Sequence, residues 1–192
     1  DDIDQHPDLP WDWEFGVSRN PNLIMDFVLM HLDKKWNWNC IGKHSNITMD
    51  DIDQHLKLPW VWHGGSFGCI GGISSNPNLT VDFVLKHRDK DWNWSKVSGH
   101  SNITMHDIFE HDELPWEVFG GISMNPTLSI AIVVQNATNN WCWLYVSENA
   151  NITMDDVDQH PELPWYAGDG GLSCNPNINI MILSKYPHWD WC

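Results

Sequence analysis

Three kinds of side chain recur at spacings that could support chemistry. Histidines stand at His6, His31, His55, His87, His111 and His160, about one in each stretch of two dozen residues. A ladder of imidazoles could bind metal ions. Yet the matching positions further on are Asn136 and Tyr186, which suit a helix-end polar or aromatic residue better than a ligand. No His-x-x-x-His pair or Cys/His cluster has zinc spacing. The triplets Asp50, Asp51, Asp53 and Asp155, Asp156, Asp158 suggest calcium, but the glycine and distal glutamate of an EF-hand loop are missing. Helix capping accounts for these aspartates. We therefore expect no metal and no cofactor.

Six Asn-x-Ser/Thr sequons occur, at Asn46, Asn78, Asn93, Asn102, Asn136 and Asn151. In four of them, those of Asn46, Asn78, Asn102 and Asn151, the Thr two residues on is the expected helix cap, so a structural role is the simpler reading. A row of exposed tryptophans could stack on sugars or Pro-rich peptides. The Gly-rich run from Gly64 to Ser74 lacks the Lys-Ser/Thr of a phosphate cradle. There is no serine elbow, no His-Glu-x-x-His and no recognisable Cys/His frame. The reading is not an enzyme.

The elements that must position these residues follow from a repeat. Aligned on the first Trp of each Trp-x-Trp pair, the chain shows eight copies: Trp11, Trp36, Trp60, Trp92, Trp116, Trp141, Trp165 and Trp189, in steps of 24 or 25 residues with one of 32. The long step holds a Gly-rich inserted loop at residues 63–75. Copies opening Asn-Pro (Asn20, Asn76, Asn125, Asn175) alternate with copies opening Ser-Asn or Ala-Asn (Ser45, Ser101, Ala150). The deeper period is a pair of about 49 residues. A fixed period in the twenties signals a stacked array whose units are too small to bury their own apolar faces.

Within a unit, Thr48 is an N-cap and Asp51, three residues on, completes a capping box. Ile47 and Ile52 have the spacing of a hydrophobic staple. The central apolar position reads Ile3, Val28, Ile52, Val84, Ile108, Val133, Val157 and Leu183. A period of three to four predicts a helix of about two turns. The Pro before Trp is expected to open a second short helix. The fold class expected is all-α: an α-solenoid of about eight short helical hairpins, a single array over residues 1–192 that starts and ends mid-repeat, as a fragment of a longer chain would. The repeated tryptophan is expected to fill the gap between hairpins.

Charge narrows the partners. Twenty-six acidic residues face ten basic ones, for a formal net charge of −16. That argues against nucleic acid and anionic membranes, and no apolar stretch is long enough to span a bilayer. The cysteines at 40, 69, 142, 174 and 192 are odd in number with no Cys-x-x-Cys, which reads as a reducing compartment.

The stretch from Asn76 to Trp94 resembles the tandem repeats of giant DNA viruses of the mimivirus type. Those read roughly Asn-Pro-Asn-Ile-Thr-Trp-Glu, an aliphatic pair, Tyr or His, Pro-Asp-Lys-Pro and Trp-Asp-Trp. Asn76, Pro77, Asn78, Leu79 and Thr80 match the opening. His87 matches the helix-closing aromatic, Asp89 and Lys90 the turn, and Trp92 and Trp94 the pair. The helix-start Trp is replaced by Met25, Met49, Val81, Met105, Ile130, Met154 and Ile180. The resemblance implies a viral repeat protein of no established activity, built as an α-solenoid, and the expected location is the virion or host cytoplasm. Its expected role is a protein–protein interaction scaffold binding capsid or host proteins, either as a virion component or as an intracellular adaptor.

Overall fold

The computed structural model describes residues 2–64 and 71–192. The described chain is all-helical, with eleven α-helices, four 3-10 helices and no strand. It divides into two compact units, residues 1–93 and 94–192. The inserted loop falls in the first, and its residues 65–70 lie outside the described residues.

The first unit holds α1 (Asp2–Gln5), α2 (Met25–Met30), α3 (Trp38–Gly42), α4 (Met49–Gln54) and α5 (Val81–Lys86), with 3-10 helices at Val17–Arg19 and Gly72–Ser75. The second holds α6 (Trp94–Ser98), α7 (Met105–Glu110), α8 (Ile130–Gln135), α9 (Trp143–Glu148), α10 (Met154–Gln159) and α11 (Ile180–Lys185), with 3-10 helices at Ile122–Met124 and Leu172–Cys174.

Helices of six residues cannot hold themselves together in water, because nucleation costs more than so few bonds return. Local signals fix where they begin. Thr48, Thr104 and Thr153 each accept the N–H of the residue three on, and Asp51, Asp107 and Asp156 reach back to the threonine N–H, completing capping boxes. Tertiary burial supplies the rest. The aliphatic residue before each cap (Leu23, Ile47, Leu79, Ile103, Leu128, Ile152) and the central helix position (Val28, Ile52, Val84, Ile108, Val133, Val157) are all buried. Leu183 differs: it is half-buried, and its neighbour Ile182 points inward instead.

The second element of each repeat departs from expectation. Where Leu-Pro precedes Trp, no α-helix follows. A turn and a 3-10 helix form instead. The α-helical second elements α3, α6 and α9 belong to the Asn-Pro repeats and begin at the second Trp itself. The first Trp and any Pro therefore lie outside the helix; in α3 Asn37, between the two tryptophans, accepts the Cys40 N–H at 3.2 Å as N-cap. The Leu-Pro repeats instead carry glycine just before the 3-10 helix or, at Gly72, as its first residue. A Cβ on Gly16, Gly72, Gly121 or Gly171 would stand 2.1–2.8 Å from the carbonyl oxygen of Asp12, Val61, Glu117 or Tyr166. That same oxygen accepts the N–H of Val17, Ile73, Ile122 or Leu172 at 2.7–2.9 Å. The insertion changes nothing here, since its two ends are closed by the bond found in the other three loops.

The two kinds of second element pack in alternation. α3 lies against Val17–Arg19 on one side and Gly72–Ser75 on the other, and α9 lies between Ile122–Met124 and Leu172–Cys174. Cys40, buried on α3, is disulfide-bonded, whereas Cys142, Cys174 and Cys192 are free thiols. An odd cysteine count without Cys-x-x-Cys did not suggest that bond.

Candidate interaction surface

The repeated tryptophan has one job throughout. Its indole N–H donates to the carbonyl of the residue five before it, which ends the preceding helix. Trp11, Trp36, Trp60, Trp92, Trp116, Trp141 and Trp165 reach His6, His31, His55, His87, His111, Asn136 and His160 at 2.7–2.9 Å. The ring thus satisfies an orphan carbonyl at a helix end and fills space beside it. In the last repeat the register differs from the Trp-x-Trp alignment. Trp191, not Trp189, donates to Tyr186, at 2.8 Å. Trp189 stacks on the Tyr186 ring, with centroids 4.3 Å apart.

The histidine ladder is accounted for by the same bond, which uses the backbone oxygen and is indifferent to the side chain. Its imidazoles do different things. His87 Nε2 meets Asp53 Oδ1 at 2.9 Å, and His31 Nε2 lies 2.9 Å from Asp4. Tyr186 meets Asp158 through its hydroxyl at 3.0 Å. The aspartate triplets are likewise divided among roles: Asp51 and Asp156 cap, while Asp53 and Asp158 pair with the next repeat. Lys86 and His87 hold the Asp53 carboxyl below its usual range, and Lys185 and Tyr186 do the same for Asp158. Among the described residues no three His, Cys, Asp or Glu converge as a metal site.

Two further ladders were not singled out from sequence. The first is serine. Ser18, Ser74, Ser98, Ser123, Ser147 and Ser173 each accept, at 2.9–3.0 Å, the N–H of the residue 19 positions on, just after the next repeat Trp. Gly42 stands at this place in its repeat, where a Cβ would meet Ile73 at 3.2 Å. The second ladder is asparagine. Asn76 is fully buried and its amide donates to the carbonyls of Gly42, His44 and Ile47 at 2.8, 3.3 and 2.9 Å. Asn125 reaches Ser98 and Ile103, and Asn175 reaches Ser147, Asn149 and Ile152. Each asparagine Oδ1 also accepts the N–H two residues on. His44 substitutes in this motif: Nδ1 accepts from Asn46 N–H and Nε2 meets the Asn20 carbonyl at 2.8 Å, which sets the tautomer with its proton on Nε2.

The sequon asparagines are engaged similarly. Asn46 donates to Pro21 and Leu23, Asn78 to Ser45 and Ile47, and Asn151 to Pro126.

What remains exposed is acidic and partly apolar. Residues 1–93 carry fourteen carboxylates and eight cations, net −6; residues 94–192 carry twelve and two, net −10. Phe109, Phe119, Ile180 and Met181 stand out to solvent in the second unit. No described helix is long and apolar enough to cross a membrane. No family model, curated protein or solved structure matches the chain.

Proposed function

We propose that the chain is a segment of an α-solenoid that serves as a non-enzymatic scaffold for other proteins, as a structural component of a virus particle. The observation that carries this is the asparagine ladder. In both units it ties an Asn-Pro repeat to the one before through main-chain carbonyls, the bonding that lets repeats stack in a row and present one long face. Acidity suits basic partners such as capsid surfaces. The disulfide at Cys40 fits a particle in oxidising surroundings better than an adaptor in a reducing cytoplasm. The giant-virus resemblance points the same way. Sugar stacking is less favoured, because Trp13 and Trp62 are already packed against Phe, His and Trp rings.

Quantitative mass spectrometry of purified particles against infected-cell lysate tests the reading. Enrichment in the particle near capsid stoichiometry is expected. Abundance in the lysate with none in the particle overturns the virion role and leaves an adaptor of host proteins.

A further inference from the structure

In the second unit a groove of about 270 Å³ opens between the 3-10 helix Ile122–Met124 and the end of α9, with Met124, Pro126, Tyr145 and Glu148 among its walls. Described repeats continue on both sides of it. Its base is fixed by bonds to main chain. The Asn149 amide donates to the Asn125 carbonyl at 2.9 Å, and the Asn151 amide donates to that of Pro126. Met124 is 48% exposed and Tyr145 is half-buried. The remaining wall is a carboxylate that folding does not use. Glu148 is exposed, and among the described residues its side chain has no hydrogen bond or ion pair. It is the last residue of α9, the end of a helix where an anion is least favoured. The same place holds Lys43 after α3 and Gly99 after α6, and the Met124 place holds Arg19 in the first unit. Where the first unit presents Arg19 and Lys43, the second presents Met124 and Glu148.

We propose that this groove takes an arginine side chain of a basic partner protein. The aliphatic stem lies along Met124 and Pro126, and the guanidinium pairs with the Glu148 carboxylate and stacks on the Tyr145 ring. Arginine suits this set better than lysine. Its guanidinium is planar and weakly hydrated, meets a carboxylate through two N–H groups and stacks on aromatic rings. Methionine, flexible and polarizable, adapts to the stem. The surrounding charge selects the partner. Residues 94–192 hold twelve carboxylates against two lysines, Lys96 and Lys185, so a basic surface is drawn in. A second copy of this chain carries the same −16 and is repelled. The inference rests on the scaffold reading above and adds the chemistry of a partner.

The test uses the full chain and the peptide acetyl-Gly-Arg-Gly-amide, with its lysine and citrulline analogues. By NMR, the Met124 methyl and Tyr145 ring resonances shift saturably with the arginine peptide. Affinity is on the order of millimolar, as for one small contact that must order a flexible ligand. The lysine peptide binds more weakly, and citrulline, which has the shape without the charge, does not bind. Glu148→Gln weakens arginine binding about tenfold, the effect of losing a charge-assisted pair, with the tryptophan indole resonances unmoved. Asp112→Asn, which removes an exposed charge elsewhere in the unit, leaves affinity unchanged. Absence of a saturable shift, binding indifferent to Glu148→Gln, or equal losses in the two variants overturns the proposal. So does self-association in sedimentation that is lost in both Glu148→Gln and Arg19→Gln, which would place a second copy in the groove. If the chain is enriched in particles and the peptide does not bind, only this inference falls. If the peptide binds as expected and the chain is absent from particles, the site stands and the virion role falls.

Discussion

Trp13 and Trp62 sit in matched aromatic clusters in residues 1–93. Each stacks parallel to a phenylalanine (Phe27, Phe83; centroids 6.2 and 6.1 Å apart) and stands edge-on to the next repeat Trp (Trp36, Trp92; 5.1 Å in both). His31 and His87 close the clusters, and the Lys34 and Lys90 ammonium groups lie 5.7 and 5.9 Å from the Trp13 and Trp62 rings. Residues 94–192 fill the same places with Val118, Ile132, Asn136 and Asn139, and again with Ala167, Ile182 and Tyr186. The whole set changes together, while the tryptophan, serine and asparagine bonds to backbone are kept. The comparison separates a recurring hydrogen-bonded frame from an interchangeable infill, a Trp–Phe–His cluster twice in one unit and, in the other, an aliphatic and amide set once and a Tyr186–Trp189 stack beside Ala167 and Ile182 once.

The largest effect should come from breaking frame and infill at once. Trp92→Ala is expected to cost about 3–5 kcal/mol in urea unfolding, the range for a large buried aromatic. Trp141→Ala, which loses the frame bond but no Trp13-type cluster, should cost roughly 1 kcal/mol less. Equal losses would mean the infill adds nothing. Next comes the frame alone: Asn76→Ala strands three carbonyls and should cost about 2–4 kcal/mol, and Asn125→Ala, with two, somewhat less. A loss below about 1 kcal/mol at Asn76 would remove the ladder from the account of stability.

A smaller effect sharpens the idea of a set. Trp62→Val and Phe83→Ile together should cost less than the sum of the singles by about 0.5–1.5 kcal/mol, the coupling of an aromatic pair. Strict additivity would show that the two rings were not acting together.

The smallest effect concerns pH. Asp53 is held below its ordinary value by Lys86 and His87, so its contribution is present above the ordinary carboxylate range and is lost as pH falls through the depressed value. Phe109 occupies the equivalent place on α7 and cannot titrate, whereas Asp158 repeats the aspartate on α10. Amide exchange should therefore quicken at the α4–α5 contact, relative to α7–α8, as pH falls below about 4. Asp53→Asn should erase the difference.

Signals that act within one turn of chain were legible in sequence. The Thr48–Asp51 box and the Ile47–Ile52 spacing are pairs three to five residues apart; the box is formed and both isoleucines are buried. The recurring tryptophan was legible as a position, but its partner is a carbonyl, which leaves no mark on side-chain pattern. That is why the last repeat was misaligned. Trp-x-Trp spacing favoured Trp189, whereas counting five from the helix-end residue Tyr186 gives Trp191. The ladders from Ser18 and Asn76 were hidden for the same reason, since their partners lie 19 to 34 residues away. Their trace was a small polar residue recurring at one fixed place. The Leu-Pro segment misled because proline tolerates a helix's first turn, but here it sits before the Trp, and the following glycine closes a loop.

The asparagine ladder also bears on how such a chain changes over generations. A main-chain carbonyl is present in every residue, so an amide aimed at it makes no demand on the neighbour's sequence. A duplicated or deleted pair of repeats therefore meets a correct junction at once, without compensating substitutions. Copy number becomes a variable that recombination can adjust freely, while the faces turned to solvent diverge copy by copy.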